Sequence, residues 1–342
     1  MTTAPLDPSP ILETGFGFWS AKTLLSAVEL GVFTELAKAP RTRDELGGAL
    51  KIHPRGAMDL FDALVALGFL DRDGRGERAI YRNSALTDYY LDRAKPSYIG
   101  GILEMFNARL YGFWGDLTEA LRTGKPQNEI KHTGAPMFAT LYNDPDRLEQ
   151  FILAMQGISL PNFEAFAEKF DFSRYRTLCD VGGANGLLSR TIAARHPHLA
   201  CTSWDLPVVE PIARRAIAAA GLTQRVKTAS GDFFADALPR ADVITMGMIL
   251  HDWNLEHKRM LIDKAYDALP DGGAFVVIEN LIDDDRRVNS FGLLMSLNML
   301  IEFGDAFDYT GADFAGWCRD AGFKHSEVIP LRGPASAAVA YK

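Results

Sequence analysis

The sequence predicts an α/β protein in which a doubly wound, mostly parallel sheet follows a helical domain. From residue 176 onward, short β-branched or apolar runs alternate with helical stretches, which is typical of a parallel sheet with helices on both faces. Residues 11–100 instead indicate helices with short strand-like runs. A glycine-rich segment directly after the first strand of the alternating region is typical of a ligand-binding turn.

The composition is that of a folded globular chain. Of its 342 residues, 47% are hydrophobic and 23% are charged, which excludes an intrinsically disordered protein. The formal net charge of −8 argues against a nucleic-acid partner, because binding phosphates requires a basic surface. Three widely spaced cysteines without a CxxC pair predict neither a disulfide framework nor a cysteine zinc site.

No segment of the sequence has the pattern of a membrane anchor or of an export signal. The longest weakly polar stretch, residues 291–301, is well short of the roughly 20 residues that a membrane-spanning helix needs. The first residues lack the basic and apolar regions of a signal peptide. We therefore expect a cytoplasmic protein without a membrane partner.

Residues 1–100 predict a helical domain of the winged-helix type. Its elements are the helix Phe18–Leu36, a helix opened by a capping box of Thr42 and Glu45, the helix Arg55–Leu67 ended by Gly68, and the strands Phe69–Asp71 and Ala79–Arg82. Such domains often bind DNA through their second motif helix. Here that helix carries Arg55 against Asp59 and Asp62, which argues against groove reading. We interpret the domain as a dimerisation or lid module.

The remaining chain predicts connecting helices at 101–175 and a sheet domain at 176–342. The predicted strands of the sheet domain are Thr177–Val181, Ala200–Asp205, Val226–Ser230, Asp242–Met246, Ala274–Glu279, Glu327–Leu331 and Ala337–Tyr341. We expect the connecting helices to contribute to a substrate pocket.

The strongest local motif is the segment Asp180–Gly186, which precedes the predicted helix Leu187–Arg195. Glycines at a strand-to-helix turn allow close approach of a ligand, and a nucleotide-like ligand is expected there. The segment is neither a GxGxxG dinucleotide fingerprint nor a P-loop. Asp205 ends the next strand, where a carboxylate can accept both hydroxyls of a ribose. Asp232 follows the third strand, beside Phe233, and provides an acceptor for an adenine amino group. Either acid alone is better explained as an ordinary turn residue, but the two together on successive strand ends indicate a binding site.

These motifs resemble the class I S-adenosylmethionine-dependent O-methyltransferases of small molecules, a group that contains plant caffeic-acid, hydroxyindole and bacterial natural-product enzymes. The most specific segments are Ile249–Trp253 (ILHDW) and Leu269–Gly273 (LPDGG). The resemblance implies a Rossmann-like sheet with a C-terminal antiparallel strand, a winged-helix dimerisation domain and a homodimer. It also implies that S-adenosylmethionine is converted to S-adenosylhomocysteine, without a metal, while a hydroxyl of an aromatic or polyketide-like molecule is methylated.

The resemblance also assigns the residues of the donor site. They are Asp180, Gly182, Gly183, Asp205, Leu206, Asp232, Phe233 and Gly247. The sequence departs from the family pattern at three positions. Gly247 stands where plant members usually carry a lysine, Ala184 replaces a loop glycine, and Asp308 stands where glutamate is commoner.

By the same resemblance, His251 is the general base and Glu279 and Asp308 flank it. An imidazole with a pKa near 6.5 suits proton removal at neutral pH, and a phenol with a pKa near 10 benefits most from it. Neighbouring carboxylates orient the ring and stabilise the imidazolium. Asp252 is open to two interpretations, because it can also cap the following helix. A structural role remains the alternative for His251 itself.

The acceptor pocket is expected to contain methionine, aromatic and amide side chains. The candidates are Met105, Phe106, Met155, Trp253, Asn298, Met299 and Phe303. Ordinary core positions are the alternative for each methionine.

Alternative functions are N- or C-methylation, a relative that binds the donor without transferring methyl, and a winged-helix DNA-binding regulator.

Overall fold

The computed structural model describes residues 6–134 and 137–342. The chain divides into two compact units, Met1–Gly112 and Phe113–Lys342. Residues 135 and 136, part of the predicted connecting segment, lie outside the described residues. The division at residues 100 and 175 stays a prediction. In the described ranges, no helix has both the length and the apolar character needed to cross a membrane.

The first unit combines helices with a small antiparallel sheet. Its helices are α1 (Ser9–Leu30), α2 (Val32–Lys38), α3 (Arg43–Ala49), α4 (Pro54–Ala66), α5 (Ala85–Tyr90) and α6 (Gly100–Met105), followed by a π-helical turn at Phe106–Leu110. Its strands are β1 (Arg41–Thr42), β2 (Leu70–Asp73) and β3 (Ile80–Asn83), in the order β1-β3-β2. A 3₁₀ turn at Gly76–Arg78 lies between β2 and β3. The predicted capping box at Thr42 and Glu45 is present at the start of α3.

The prediction of one helix over Phe18–Leu36 is wrong. Helix α1 ends at Leu30 because Gly31 adopts a left-handed conformation with φ of 76°, and its N–H caps the carbonyls of Ala27 and Val28. Helix α2 then begins at Val32. The break allows both helices to bury apolar side chains in one core.

The second unit contains the large sheet and most of the remaining helices. Helix α7 (Tyr111–Phe113) spans the boundary between the units; the other helices are α8 (Leu117–Thr123), α9 (Ile130–Thr133), α10 (Met137–Tyr142), α11 (Pro145–Lys169), α12 (Leu187–Arg195), α13 (Glu210–Ala219), α14 (Leu255–Ala268), α15 (Ser290–Phe303) and α16 (Gly311–Asp320). Short 3₁₀ turns lie at Trp114–Asp116 and Leu250–Asp252.

The large sheet has seven strands. They are β4 (Thr177–Val181), β5 (Ala200–Asp205), β6 (Val226–Ser230), β7 (Val243–Gly247), β8 (Ala274–Glu279), β9 (His325–Pro330) and β10 (Ser336–Tyr341). Their order is β6-β5-β4-β7-β8-β10-β9, with β10 antiparallel to both of its neighbours and the other pairs parallel. The predicted fold is confirmed, and the strand limits agree within two residues.

The strand order places a crevice at the carboxyl end of the sheet. Strands β5 and β6 extend the sheet on one side of β4, whereas β7 and β8 extend it on the other. The connections leave β4 and β7 in opposite directions, and ligands bind open α/β sheets at such a point. The segments that follow β4, β5, β6, β7 and β8 therefore meet at this edge.

Candidate active site

The turn after β4 has a backbone that requires glycine at two positions. The N–H groups of Gly182 and Gly183 both donate to the Trp204 carbonyl, at 2.9 and 3.2 Å. A Cβ on Gly182 would lie 2.4 Å from Ile249 Cδ1, and one on Gly183 would lie 2.4 Å from Ser203 Oγ. Ala184 has φ of 49°, so it adopts the left-handed conformation that its glycine counterpart would adopt freely. The alanine therefore preserves the shape of the turn at the cost of local strain.

Asp205 connects the ends of β4 and β5. Its Oδ2 accepts the Ala184 N–H at 2.8 Å, and its Oδ1 accepts the Leu206 N–H at 2.7 Å. Burial raises the pKa of Asp205 to about 6, although these two hydrogen bonds oppose the shift. Each oxygen retains a lone pair, so the carboxylate is able to accept two further hydroxyl protons.

The Asp180 side chain is hydrogen-bonded to a neighbouring strand of the sheet. Its Oδ1 accepts a hydrogen bond from the Thr245 hydroxyl at 2.8 Å, across the pairing of β4 with β7. Burial raises the pKa of Asp180 to about 7. This side chain joins the two central strands below the crevice.

The loop after β6 carries Asp232 and Phe233. The Gly231 N–H donates to the Asp205 carbonyl at 3.0 Å, which joins this loop to the end of β5. Asp232 Oδ1 accepts the Phe234 N–H at 2.8 Å, so the acid closes the turn and retains Oδ2 for a ligand. The rings of Phe233 and Phe234 meet the Trp253 ring edge to face, with centroids 5.9 and 4.6 Å apart.

Gly247 ends β7 on the opposite side of the crevice. A Cβ at this position would lie 3.2 Å from two ring atoms of Phe163, which belongs to α11. The phenyl ring therefore occupies the space that a side chain at position 247 would need. Met248, the next residue, has φ of 55°, a strained conformation for a residue with a side chain.

His251 lies in the 3₁₀ turn that follows β7 and is almost completely buried. Its Nδ1 is 3.3 Å from Asp308 Oδ1, and its Nε2 is 3.3 Å from Asp252 Oδ1. Glu279 Oε1 instead accepts the backbone N–H groups of Ile249 and His251, both at 3.2 Å. Glu279 therefore fixes the turn, whereas the two aspartates contact the ring.

Burial and neighbouring charges shift the pKa values of the side chains in this cluster. Burial alone lowers the pKa of His251, but Asp252, Asp308 and Glu279 outweigh it and raise the pKa to about 10. Burial raises the pKa of Asp252 to about 7 and raises that of Glu279. Lys258 is fully buried beside the cluster, and burial lowers its pKa to about 8. Its ammonium donates to the Trp253 carbonyl and lies 3.9 Å from the centroid of the Phe307 ring.

Aromatic rings lie beside the histidine turn. Phe138 stacks on Phe303 with centroids 5.5 Å apart and reaches Trp253 at 6.3 Å. Asn298 Oδ1 accepts a hydrogen bond from Trp114 Nε1 at 2.9 Å, and the amide nitrogen of the same side chain is a donor group. Met299 is buried in α15.

The remaining predicted pocket residues are distributed between the two units. Met155 is half-buried in α11. Met105 ends α6 and Phe106 begins the π-helical turn of the first unit, so their role in a pocket stays a prediction.

Some contacts around the histidine turn could not be predicted from the sequence. Helix α14 is capped by Asn254, whose Oδ1 accepts the His257 N–H at 3.0 Å, so Asp252 is not the cap. Lys258 had a signal in the sequence, because it shares one helical face with the buried Leu261 and Ile262. No local pattern indicated Phe138 as a neighbour of Trp253.

Comparisons with known proteins give the family. A family model described as an O-methyltransferase domain matches residues 114–324, and one described as an O-methyltransferase dimerisation domain matches residues 12–93. The chain is 41% identical to the tetracenomycin polyketide synthesis 8-O-methyl transferase TcmO of Streptomyces glaucescens, over 98% of this chain and 97% of that protein. It is 37% identical to the 3-hydroxy-5-methyl-1-naphthoate 3-O-methyltransferase of Streptomyces sahachiroi, over 98% and 96% of the two chains.

A solved structure agrees with these relatives. The crystal structure of human N-acetylserotonin methyltransferase in complex with S-adenosylmethionine superposes with a TM-score of 0.90 at 29% identity, over 100% of this chain and 99% of that chain. The chain belongs to the S-adenosylmethionine-dependent O-methyltransferase family.

The residues present fit the methyl donor of this family. The backbone of Gly182 and Gly183 leaves no room for side chains, and Asp205 retains acceptor capacity for a ribose. Glu279 Oε2 and Asp308 Oδ2 are buried oxygens without a hydrogen-bond partner among the described residues, which suits a cationic ligand. In the part of the chain that the structure describes, no three His, Cys, Asp or Glu side chains are arranged to hold a metal ion.

The glycine turn gives a testable prediction. Gly183→Ala places a Cβ 2.4 Å from Ser203 Oγ, and we expect the resulting shift of the turn to weaken S-adenosylhomocysteine binding by about tenfold or more. Isothermal titration calorimetry measures the affinity. Gly48→Ala is the matched control, because nothing lies within 4 Å of its added Cβ. Unchanged affinity in a folded Gly183→Ala protein would contradict the assignment.

Proposed function

We propose that this protein transfers a methyl group from S-adenosylmethionine to a hydroxyl group of an aromatic or polyketide-like molecule, with His251 as the general base. The observation that carries the proposal is the buried imidazole at the end of β7, in contact with Asp308 on one side and Asp252 on the other. The activities of the two Streptomyces relatives support the acceptor class. The expected cytoplasmic location stays a prediction.

The proton moves from the acceptor hydroxyl to Nε2 of His251. Nδ1 is buried against Asp308, whose side chain is 2% exposed, whereas Asp252 beside Nε2 is 16% exposed. Asp308 thus orients the ring through Nδ1 and stabilises the imidazolium, and Asp252 stabilises it at Nε2. Glu279 holds the turn in place through the backbone. Bound S-adenosylmethionine supplies an electrophilic methyl group on a positively charged sulfur.

The donor is held by the segments after β4, β5 and β6. Gly182 and Gly183 allow close backbone approach, Asp205 accepts the ribose hydroxyls, and Asp232 and Phe233 hold the adenine. The other donor residues have supporting roles: Asp180 braces the central strands, Leu206 anchors Asp205, and Gly247 leaves room for Phe163.

The acceptor binds against aromatic surfaces beside the histidine. Trp253, Phe303 and Phe138 present flat rings, and Asn298 offers an amide donor to an acceptor oxygen. A flat, hydroxylated aromatic molecule matches this combination.

The proposal is tested by incubating the protein with S-adenosylmethionine and a panel of polycyclic phenols, aromatic amines and C-nucleophiles, followed by mass spectrometry. Methylation of the amines alone would contradict the hydroxyl assignment.

The first unit pairs with a second copy of the chain. Helix α1 exposes a row of apolar side chains although the unit has its own core, and the dimerisation family model covers most of this helix. The exposed residues are Ile11, Leu12, Phe16, Phe18 and Trp19. Association buries such a surface, which otherwise favours aggregation.

His251→Ala should lower turnover of a hydroxyl acceptor by about 10² or more, because the variant lacks the imidazole that accepts the proton. Steady-state kinetics and S-adenosylhomocysteine calorimetry measure turnover and donor binding separately. His325→Ala, which removes an exposed histidine of β9, is the control. Near-normal turnover in His251→Ala with donor binding intact would remove His251 from the mechanism.

Asp308→Asn should lower the pKa of His251, because it removes a negative charge 3.3 Å from Nδ1. The neutral ring is the base, so activity is present above this pKa and lost below it. The acid limb of the rate profile should therefore move to lower pH. NMR titration of the His251 ring in the ligand-free protein checks the shift. Asp320→Asn, at an exposed ion pair with Arg259, is the control. A parent midpoint at or below 6.5 would oppose the charge argument.

Trp19→Asp should convert the dimer to a monomer, because it places a charge among the exposed apolar side chains of α1. Sedimentation equilibrium measures the mass of the particle. Ser20→Asp adds the same charge at the next exposed position of α1 and serves as the control. A parent protein with the mass of one chain would exclude the proposed pairing.

A further inference from the structure

A single lysine of α14 holds the loop that follows β6. The Lys264 ammonium donates to the backbone carbonyls of Phe233 at 2.7 Å, Phe234 at 3.0 Å and Asp236 at 2.9 Å. An ammonium group has three N–H donors, so all of them are used on this loop. The loop conformation is therefore tied to a residue 28 to 31 positions further along the chain.

The Lys264 ammonium is the positive charge that faces three carbonyls of this loop. Three carbonyl dipoles converge on one point, an arrangement that is unfavourable unless a positive charge faces them. On its other side the loop is closed by its own acids, since Asp232 Oδ1 accepts the Phe234 N–H and Asp236 Oδ2 accepts the Asp232 N–H, both at 2.8 Å. The contacts of Lys264 thus help to set the positions of Asp232 and Phe233.

We propose that Lys264 is a positioning residue for the methyl donor, acting through the loop that holds its adenine. The inference rests on the proposed function, which assigns Asp232 and Phe233 to the donor. Helix α14 contributes by carrying Lys264 to the carbonyl side of the loop.

The turn that carries His251 has supports other than Lys264. Glu279 accepts the backbone N–H groups of Ile249 and His251, and Lys258 binds the Trp253 carbonyl. Loss of Lys264 therefore acts on donor affinity and leaves proton removal largely intact. This separation distinguishes a positioning role from general stabilisation of the fold.

The test is Lys264→Met, which keeps most of the aliphatic side chain and removes the ammonium. We expect the Kd for S-adenosylhomocysteine and the KM for S-adenosylmethionine to rise about tenfold. At saturating donor, kcat and the KM for the acceptor should stay within about twofold of the parent. Lys264→Gln, which retains part of the hydrogen bonding, should give an intermediate Kd and serves as the test if the methionine variant does not fold.

Lys342→Met is the matched control. The Lys342 ammonium also donates to backbone carbonyls of α14 and its end, those of Tyr266 at 2.7 Å and Leu269 at 2.8 Å, but it does not contact the donor loop. Its removal should lower the thermal midpoint of unfolding and leave the Kd unchanged.

The results distinguish a failure of the proposed function from a failure of the role proposed for Lys264. A parent protein that does not bind S-adenosylhomocysteine would overturn the proposed function itself. A parent that binds the ligand and methylates its acceptor, with equal affinity in folded Lys264→Met, would overturn only the role of Lys264. An equal loss of affinity in Lys342→Met would overturn it as well.

Discussion

The burial of charge at the carboxyl ends of β7 and β8 is the constraint on which the candidate site depends. Glu279 and Asp308 are removed from water together with His251 and Lys258, and Asp252 is largely buried beside them. An ionised group costs several kcal/mol when it is buried without compensation. Each carboxylate must therefore face a cation or backbone N–H groups, and this requirement determines the orientation of the imidazole and the course of the turn that carries it.

The sheet order explains why donor and base are held by different segments. The turns after β4, β5 and β6 lie on one side of the switch point, and the histidine turn follows β7 on the other. Helix α14 contacts both sides through two buried or half-buried lysines, because Lys258 binds the carbonyl of Trp253 and Lys264 binds those of the loop after β6. The edge-to-face contacts of Phe233 and Phe234 with Trp253 join the two sides a second time.

The strands of the sheet could be predicted from the sequence, because buried parallel strands are continuous apolar runs. The predicted ends of these strands then gave the positions of Asp205 and His251. The sequence was insufficient where a contact depends on tertiary structure. The break at Gly31 has no signal other than a glycine within an amphipathic pattern, and glycine also occurs inside helices. The contact of Asp252 with Nε2 depends on the conformation of a three-residue turn. The three carbonyls that bind Lys264 come from a loop that is distant in sequence, and no local pattern indicates that they converge.

The carboxylates that orient His251 also oppose its use as a base. They stabilise the imidazolium, so the ring of the ligand-free protein holds its proton to higher pH than an ordinary histidine. A positive charge in the same crevice has the opposite effect and favours the neutral ring. In the proposed reaction the positive charge on sulfur is lost as the imidazole gains a proton, so the total charge among the three carboxylates is unchanged. Proton removal is thus coupled electrostatically to the presence of the donor, and the acids of the site stabilise the same net charge before and after transfer.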